Sequence, residues 1–311
     1  TQFLPGQDFR VFVTAAAGVL LLDDLAVIPF GLTAEQIAGL ALAGRPYGRG
    51  GEVFGKESCG KSSLGCQLMA QAQKDDALVA FGEAEPAISP AWVDGFGVNR
   101  GNVLALGCDH VEQFMAGVET ILDKVKGARK TLILLDSVAS LIPLEAITAH
   151  AKDKEIPGIM AACWSHYLGQ LIGKIADRNV LLVLLNQIRS SIGQLYGSPD
   201  HSPGGNAIKF YSSVRLSMWH GKFVKDGDRK VGHWSGIKAV KNKLAPPVRE
   251  AEVLLSFEGG GFDDARSTLM FAKAMKVVDP KCTSANEARR CLEWPVPEGV
   301  EAELADVELP R

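Results

Sequence analysis

Residues 55 to 62 read Gly-Lys-Glu-Ser-Cys-Gly-Lys-Ser and fit the pattern GxxxxGK(S/T). The apolar pair Val53-Phe54 precedes this stretch, and apolar residues recur at helical spacing from Leu64 to Ala72. A strand, a glycine-rich turn and a helix in this order aim backbone N–H groups and the positive helix end at one anion. The stretch therefore predicts a phosphate-binding loop inside an α/β fold.

Individual side chains of this loop suit a nucleotide. Lys61 can reach the β- and γ-phosphates, and the Ser62 hydroxyl can ligate Mg²⁺. Cys59 lies at a helix start, a setting that lowers a thiol pKa, although a small residue tolerated there is favoured over a redox switch. The residues assigned to nucleotide binding are Gly55, Glu57, Ser58, Cys59, Gly60, Lys61, Ser62 and Ser63.

The composition of the 311 residues is that of a globular protein, with 47% hydrophobic and 22% charged residues. These values exclude a wholly disordered chain, a coiled coil and a disulfide scaffold. The net charge of −3 provides no global basic field, so a nucleic-acid site must be local. The six cysteines form no CxxC pair, and with no secretory signal at the start we expect reduced thiols in a cytoplasmic protein that binds no membrane.

Apolar runs alternate with helical patterns between residues 50 and 255. Continuous apolar strands separated by helices are typical of a mainly parallel sheet that is covered on both faces. The predicted strands are 78–81, 131–135 and 180–185, the predicted helices 111–125 and 159–175, and further strands at one side of the sheet 214–218 and 236–240.

Three regions follow from this pattern. We expect residues 31–263 to form the nucleotide-binding core and residues 1–30 to precede it as a short arm. Residues 264–311 form a small C-terminal region with one helical pattern and an acidic tail of five carboxylates.

Polar residues follow three of the predicted strands. Asp136 ends its strand where a parallel sheet faces its ligand crevice, so it can hold Mg²⁺ through water. Glu83 and Glu85 are both candidates to orient water against the γ-phosphate, and their spacing does not choose between them. An amide of the pair Asn186-Gln187 can sense the γ-phosphate or simply satisfy a loop.

Five segments resemble, in order, motifs of the RecA family of homologous-recombination ATPases, closest to the bacterial and phage type. Residues 55–63 resemble its phosphate loop, 81–90 its catalytic-glutamate segment and 134–143 its magnesium strand. Residues 186–211 resemble its second DNA-binding loop, and Lys241-Asn-Lys243 its inter-subunit lysine pair. The resemblance implies a RecA-type core with a short N-terminal polymerisation arm.

The resemblance also implies roles for individual residues. It selects Glu85 to activate water, places Trp92 against the adenine, and makes Gln187 the link between the γ-phosphate and the DNA loop. Lys241 and Lys243 would complete the ATP site of a neighbouring subunit, with Phe210 near that interface.

DNA contacts and polymerisation are implied in the same way. Glycines let the loop approach a strand closely, and an aromatic ring can stack on bases. The residues assigned to DNA are Ser165, Arg189, Tyr196, Gly204, Gly205 and Asn206. Phe12 and Ala15 match the FxxA pattern, in which a short strand adds to the sheet of a neighbouring subunit.

Some positions depart from the family pattern. Ala162, Gly169 and Ser191 stand where basic residues are common, so DNA binding should be weaker and its salt dependence flatter. The first DNA loop, roughly 144–157, is rewritten, and Lys152 and Lys154 compensate in part.

The sequence therefore predicts an ATP- and Mg²⁺-dependent recombinase that forms helical filaments on single-stranded DNA and pairs it with a homologous duplex. Loader or single-strand-binding proteins are further candidate partners. Two alternatives stay open at this point: a RecA-like motor or regulator without strand exchange, and a non-catalytic paralogue that modulates a partner recombinase.

Overall fold

The computed structural model describes residues 47–85, 88–125, 129–148, 156–190, 200–201, 203–244, 249–257, 261–274 and 278–282. The strands in these ranges are β1 (Arg49–Gly55), β2 (Leu78–Glu83), β3 (Val103–Leu106), β4 (Thr131–Asp136), β5 (Val180–Gln187), β6 (Arg189–Ser190), β7 (Asp200–His201), β8 (Val214–Asp226), β9 (Arg229–Asn242), β10 (Arg249–Ser256) and β11 (Gly261–Phe262). The helices there are α1 (Lys61–Lys74), α2 (Pro90–Gly95), α3 (Val111–Lys124), α4 (Leu144–Thr148), α5 (Ile156–Asp177), α6 (Gly205–Tyr211) and α7 (Asp264–Ala274), with 3₁₀ turns at Arg100–Asn102 and Val138–Ser140.

Nine of these strands form one mixed sheet in the order β11-β10-β9-β8-β1-β5-β4-β2-β3. All neighbours from β8 to β3 pair in parallel. The pairs β8–β9, β9–β10 and β10–β11 are antiparallel. The predicted mainly parallel α/β sheet, with additional strands at one side, is confirmed.

Two apolar clusters lie on opposite faces of the sheet, which explains why its central strands are apolar throughout. Along β4, Leu132 and Leu134 contribute to the cluster that includes Leu64 of α1. The alternate residues Ile133 and Leu135 contribute to a second cluster, which contains side chains of α3 and α5. Because successive strand side chains point to opposite faces, a strand covered on both faces needs no polar alternation.

Beyond β11 the chain continues into α7, whose start at Asp264 coincides with the predicted beginning of the C-terminal region. Ser267 joins this helix to the sheet, because the Leu254 N–H donates to its Oγ at 3.0 Å. The division into three regions stays a prediction. The arm with Phe12 and Ala15 and the acidic tail lie outside the described residues.

No helix within the described ranges combines the length and the apolar character that a membrane span requires.

Candidate nucleotide site at the carboxyl edge of the sheet

The loop between β1 and α1 depends on two glycines. A Cβ atom at Gly55 would lie 2.3 Å from the Met218 carbonyl oxygen of β8, so only glycine fits there. Gly60, which precedes the first residue of α1, has φ 96° and ψ 16°, a left-handed conformation that favours glycine. Steric and conformational constraints of this fold therefore explain both glycines of the GxxxxGK(S/T) pattern.

The Lys61 side chain is buried and folds back over the loop. Its Nζ donates to the Lys56 carbonyl oxygen at 2.7 Å and lies 3.8 Å from Cys59 Sγ. Burial raises the pKa of the Cys59 thiol and outweighs the opposing effect of the Lys61 charge. The expectation of a lowered thiol pKa at this helix start is wrong, because Cys59 is fully buried.

Ser62 and Asp136 meet at the ends of α1 and β4. Ser62 Oγ donates to Asp136 Oδ2 at 2.5 Å. Burial raises the pKa of Asp136; the Ser62 hydrogen bond and the Lys61 charge lower it, whereas Glu85 and Glu83 raise it. The two residues expected to hold a metal are thus adjacent, in a region where negative charge is concentrated.

The two candidate glutamates differ in their positions. Glu83 is the last residue of β2, opposite Asp136 in the parallel register, and its Oε1 accepts from the Ile88 N–H at 3.5 Å. Glu85 lies two residues past the strand end and accepts a hydrogen bond from Ser140 Oγ. Both carboxylates are exposed at the same edge of the sheet as the loop.

The amides of Asn186 and Gln187 are separated by burial, which the sequence could not show. Asn186 is fully buried, and its Nδ2 donates to Glu52 Oε1 at 2.9 Å and to the Pro203 carbonyl at 3.0 Å. Gln187 is half-buried and lies opposite Gly55 in the parallel register of β1 and β5. Gln187 is therefore the amide beside the start of the phosphate loop.

A buried ion pair anchors this region. Arg215 Nε donates to Glu52 Oε2 at 2.6 Å, and the Arg215 guanidinium lies 4.5 Å from the ring centroid of Phe54. Since Asn186 donates to both Glu52 and the Pro203 carbonyl, this network also ties Pro203, which precedes α6, to β1 and β5.

The packing of the fold itself requires glycine at the two glycine positions assigned to DNA binding. Gly204 and Gly205 have φ of 85° and 65°. A Cβ at Gly204 would lie 2.4 Å from Ile208 Cδ1, and one at Gly205 would lie 2.6 Å from Ala161 Cβ on α5. The first approach lies within α6 and its N-cap and the second brings α6 close to α5, and neither depends on a ligand.

The other residues assigned to DNA are only partly described. Asn206 and Ser165 are exposed, on α6 and α5 respectively. The backbone of Arg189 belongs to β6, whereas its side chain and all of Tyr196 lie outside the described residues.

The lysine pair lies at the end of β9. Lys241 Nζ donates to the carbonyl oxygens of Lys209 and Phe210 at 2.7 and 2.9 Å, so it caps the C-terminus of α6. Burial, then the charges of Lys243 and Arg215, lower the pKa of Lys241. Lys243 is exposed, and so is Phe210, whose exposed fraction is 72%.

Trp92 lies on α2, which begins after the N-cap Ser89. Its ring is half-buried and contacts Phe96 edge to face, with 5.6 Å between the centroids. The structure places Trp92 against the core cluster that includes α1.

Sequence reasoning missed two polar residues that contact the loop side of this site. Ser235 of β9 is fully buried, and its Oγ donates to the Cys59 carbonyl at 3.0 Å. His233 Nε2 lies 3.1 Å from the same hydroxyl, and the His233 ring stacks on His220 with 4.0 Å between the centroids. Neither residue belongs to a motif, and only the tertiary fold brings β9 to the loop.

The burial of His233 predicts a pH-dependent stability. Burial, then the His220 charge, lower the pKa of His233 to about 4. Because the pKa of His233 is lower in the folded state, the neutral ring stabilises the fold fully above the unfolded-state pKa of about 6.5. This stabilisation is lost as the pH falls towards 4. Urea unfolding should show that the free energy of unfolding of wild type falls between pH 7 and pH 5 by roughly 1–2 kcal/mol more than that of His233→Phe. An equal decrease in the free energy of unfolding of the two proteins would contradict a lowered pKa of His233.

Comparisons with known proteins agree with this geometry. The model of the RecA N-terminal domain matches residues 18–262. Protein RecA of Marinobacter nauticus is 40% identical over 221 residues, which cover 71% of this chain and 62% of that protein.

Two further relatives align over more of their length. Protein RecA of Syntrophus aciditrophicus is 37% identical over 258 residues, 83% of this chain and 74% of the relative. Protein RecA of Thermus aquaticus is 38% identical over 254 residues, 81% and 73% respectively. The range matched by the family model includes the phosphate loop and all of the strand ends described above, and the chain belongs to the RecA family.

Proposed function

We propose that the protein is an ATP-dependent recombinase that assembles on single-stranded DNA and exchanges strands with a homologous duplex. One observation carries the proposal: Gln187 lies opposite Gly55, at the strand end from which the candidate DNA loop leaves. An amide beside the start of the phosphate loop thus directly precedes the segment that would bind DNA. Family membership supports the same conclusion. The proposed activity would take place in the cytoplasm.

The nucleotide site combines residues from four strand ends. The loop residues 55–63 would bind the phosphates through backbone N–H groups and the Lys61 ammonium. Glu85, held by Ser140, would orient the attacking water. Trp92 would lie against the adenine.

The side chains beside the loop fit a magnesium ion. Ser62 and Asp136 supply a hydroxyl and a carboxylate, the hard oxygen ligands that Mg²⁺ prefers. The pKa of Asp136 is raised by burial and by the nearby Glu85 and Glu83, so a cation there would relieve the cost of its charge. Bound Mg²⁺ would neutralise charge on the phosphates, whereas Ser62 and Asp136 hold its position.

The DNA site would follow β5. Gly204, Gly205 and Asn206 lie where the loop returns to α6, with Arg189 at its start. Tyr196 would contact bases, and Ser165 would add a polar contact from α5. Gln187 would transmit the nucleotide state to this loop, so that ATP favours the DNA-binding conformation and hydrolysis releases it.

Filament formation is supported by two exposed features. Among the described strands β3 lies at the edge of the sheet and carries Leu104, which is 47% exposed, and such an edge can accept a further strand. The arm with Phe12 and Ala15 would supply that strand to a neighbour. Phe210, Lys241 and Lys243 would form the other side of the interface, with the lysines reaching the neighbour's ATP.

The test of this proposal is ATP hydrolysis measured with and without single-stranded DNA in the presence of Mg²⁺. We expect DNA to increase the rate by at least about tenfold, since the catalytic site is completed only between assembled subunits. An ATP hydrolysis rate that is the same with and without DNA would favour a RecA-like motor or regulator. Absence of hydrolysis in both conditions would favour a non-catalytic paralogue.

A further inference from the structure

A hydrogen-bonded chain joins β9 to the phosphate loop. Ser235 is fully buried and His233 is 2% exposed. Ser235 Oγ lies 3.0 Å from the Cys59 carbonyl oxygen and 3.1 Å from His233 Nε2. A Cβ atom added to Gly60 would lie 3.3 Å from Ser235 Oγ, so the strand leaves little room for a side chain at this position of the loop.

The donors and acceptors of this chain can be assigned from chemistry alone. The Cys59 carbonyl can only accept, so the Ser235 hydroxyl donates to it. The Ser235 oxygen is then left to accept from His233, which requires the proton of the neutral imidazole on Nε2. In this tautomer His233 Nδ1 is unprotonated, and it has no hydrogen-bond partner among the described residues.

The Cys59 carbonyl matters because it shares a peptide plane with the Gly60 N–H. In a trans peptide the C=O and N–H bonds point in opposite directions. A hydroxyl that holds the carbonyl towards β9 therefore holds the Gly60 N–H away from β9. Gly60 is in a left-handed conformation, and because glycine populates positive and negative φ about equally, a contact that fixes the preceding peptide also limits the orientations open to its N–H.

We propose that Ser235, oriented by His233, is a positioning residue that fixes the Cys59–Gly60 peptide of the phosphate loop for nucleotide binding. This inference rests on the proposed binding of ATP by that loop. It assigns a specific task in the nucleotide site to the antiparallel side of the sheet, which contributes no residue to the GxxxxGK(S/T) motif.

The test compares Mg²⁺-ADP affinity, measured by isothermal titration calorimetry, in wild type and Ser235→Ala. Loss of the hydroxyl leaves a buried carbonyl without this partner, and the peptide loses its preferred orientation. We expect the Kd for ADP to rise about tenfold. The KM for ATP should rise similarly, while kcat at saturating ATP stays within about threefold, because Ser235 does not contact the reacting atoms.

Two further variants separate positioning from general stability. Ser235→Thr keeps the hydroxyl on a residue type suited to strands and should restore the Kd to within about threefold of wild type. Ser267→Ala is the matched control, since Ser267 is also buried and makes two hydrogen bonds, to Leu254 and Asp263. It should lower the thermal unfolding midpoint as Ser235→Ala does, and leave the ADP Kd unchanged.

An ADP Kd for folded Ser235→Ala within twofold of wild type would overturn the inference. An equal loss of affinity in Ser267→Ala, or a Ser235→Thr variant that unfolds like wild type yet binds as weakly as Ser235→Ala, would also overturn it. Failure of the proposed function looks different, because wild type itself would then bind no ADP.

Discussion

Glu85→Gln is expected to reduce DNA-stimulated ATP hydrolysis at least about 100-fold and to leave the Kd for Mg²⁺-ADP within about threefold of wild type. Glutamine preserves the shape of the side chain and can still bond to Ser140, but it cannot accept a proton from the attacking water. Steady-state ATPase assays on single-stranded DNA and calorimetry with ADP measure the two quantities separately.

Glu83→Gln is the matched control for this experiment. It removes the same charge from the same edge of the sheet, two residues away and opposite Asp136. We expect it to retain at least about a third of the wild-type rate, since Glu83 would only influence the local charge. If Glu83→Gln were inactive and Glu85→Gln active, Glu83 and not Glu85 would be the residue that activates water.

Lys241→Ala has the second large expected effect, a loss of at least about 30-fold in DNA-stimulated hydrolysis. A cation that completes a neighbour's site stabilises charge on the transferring phosphoryl group, as an arginine finger does. The variant should still bind Mg²⁺-ADP with nearly wild-type affinity, because Lys241 would serve the nucleotide of another subunit. ATPase assays over a range of DNA concentrations check the first expectation and calorimetry checks the second.

A local effect of this substitution must be distinguished from the effect on the neighbour. Lys241 also bonds to the last carbonyls of α6, so its removal should destabilise that helix end by about 1 kcal/mol. Lys230→Ala removes a lysine from the same strand, where it lies over the Phe223 ring, and should keep hydrolysis within about twofold. Comparable losses in both variants would argue against a specific role for Lys241.

Most of the fold could be predicted from the sequence because its signals are local. The apolar runs at 131–135 and 180–185 and the helical periodicity of 111–125 depend only on neighbouring residues, and each corresponds to an element of the structure. The phosphate-loop pattern is also local, since all of its residues lie between Gly55 and Ser62 and Gly60 adopts a left-handed conformation that favours glycine.

What the sequence could not provide depends on tertiary contacts. Asn186 and Gln187 are adjacent amides that their spacing does not separate. The family resemblance selects Gln187, and the burial of Asn186 against Glu52 adds a physical difference that the sequence could not show. Ser235 lies 176 positions from Cys59 and belongs to no motif, so its contact with the loop follows from the sheet order alone. For Cys59 the sequence gives a wrong expectation: its place at a helix start predicts a lowered thiol pKa, but burial raises the pKa.

The central claim is that each ATP site is shared by two subunits, and mixing two inactive variants tests it most directly. Glu85→Gln and Lys241→Ala are combined in equal amounts on single-stranded DNA, and ATP hydrolysis is measured. In a head-to-tail assembly with random order, about a quarter of the interfaces would pair an intact Glu85 with an intact Lys241 from the neighbour. We predict recovery of roughly a quarter of the wild-type rate; a mixture no more active than either variant alone would contradict a shared site.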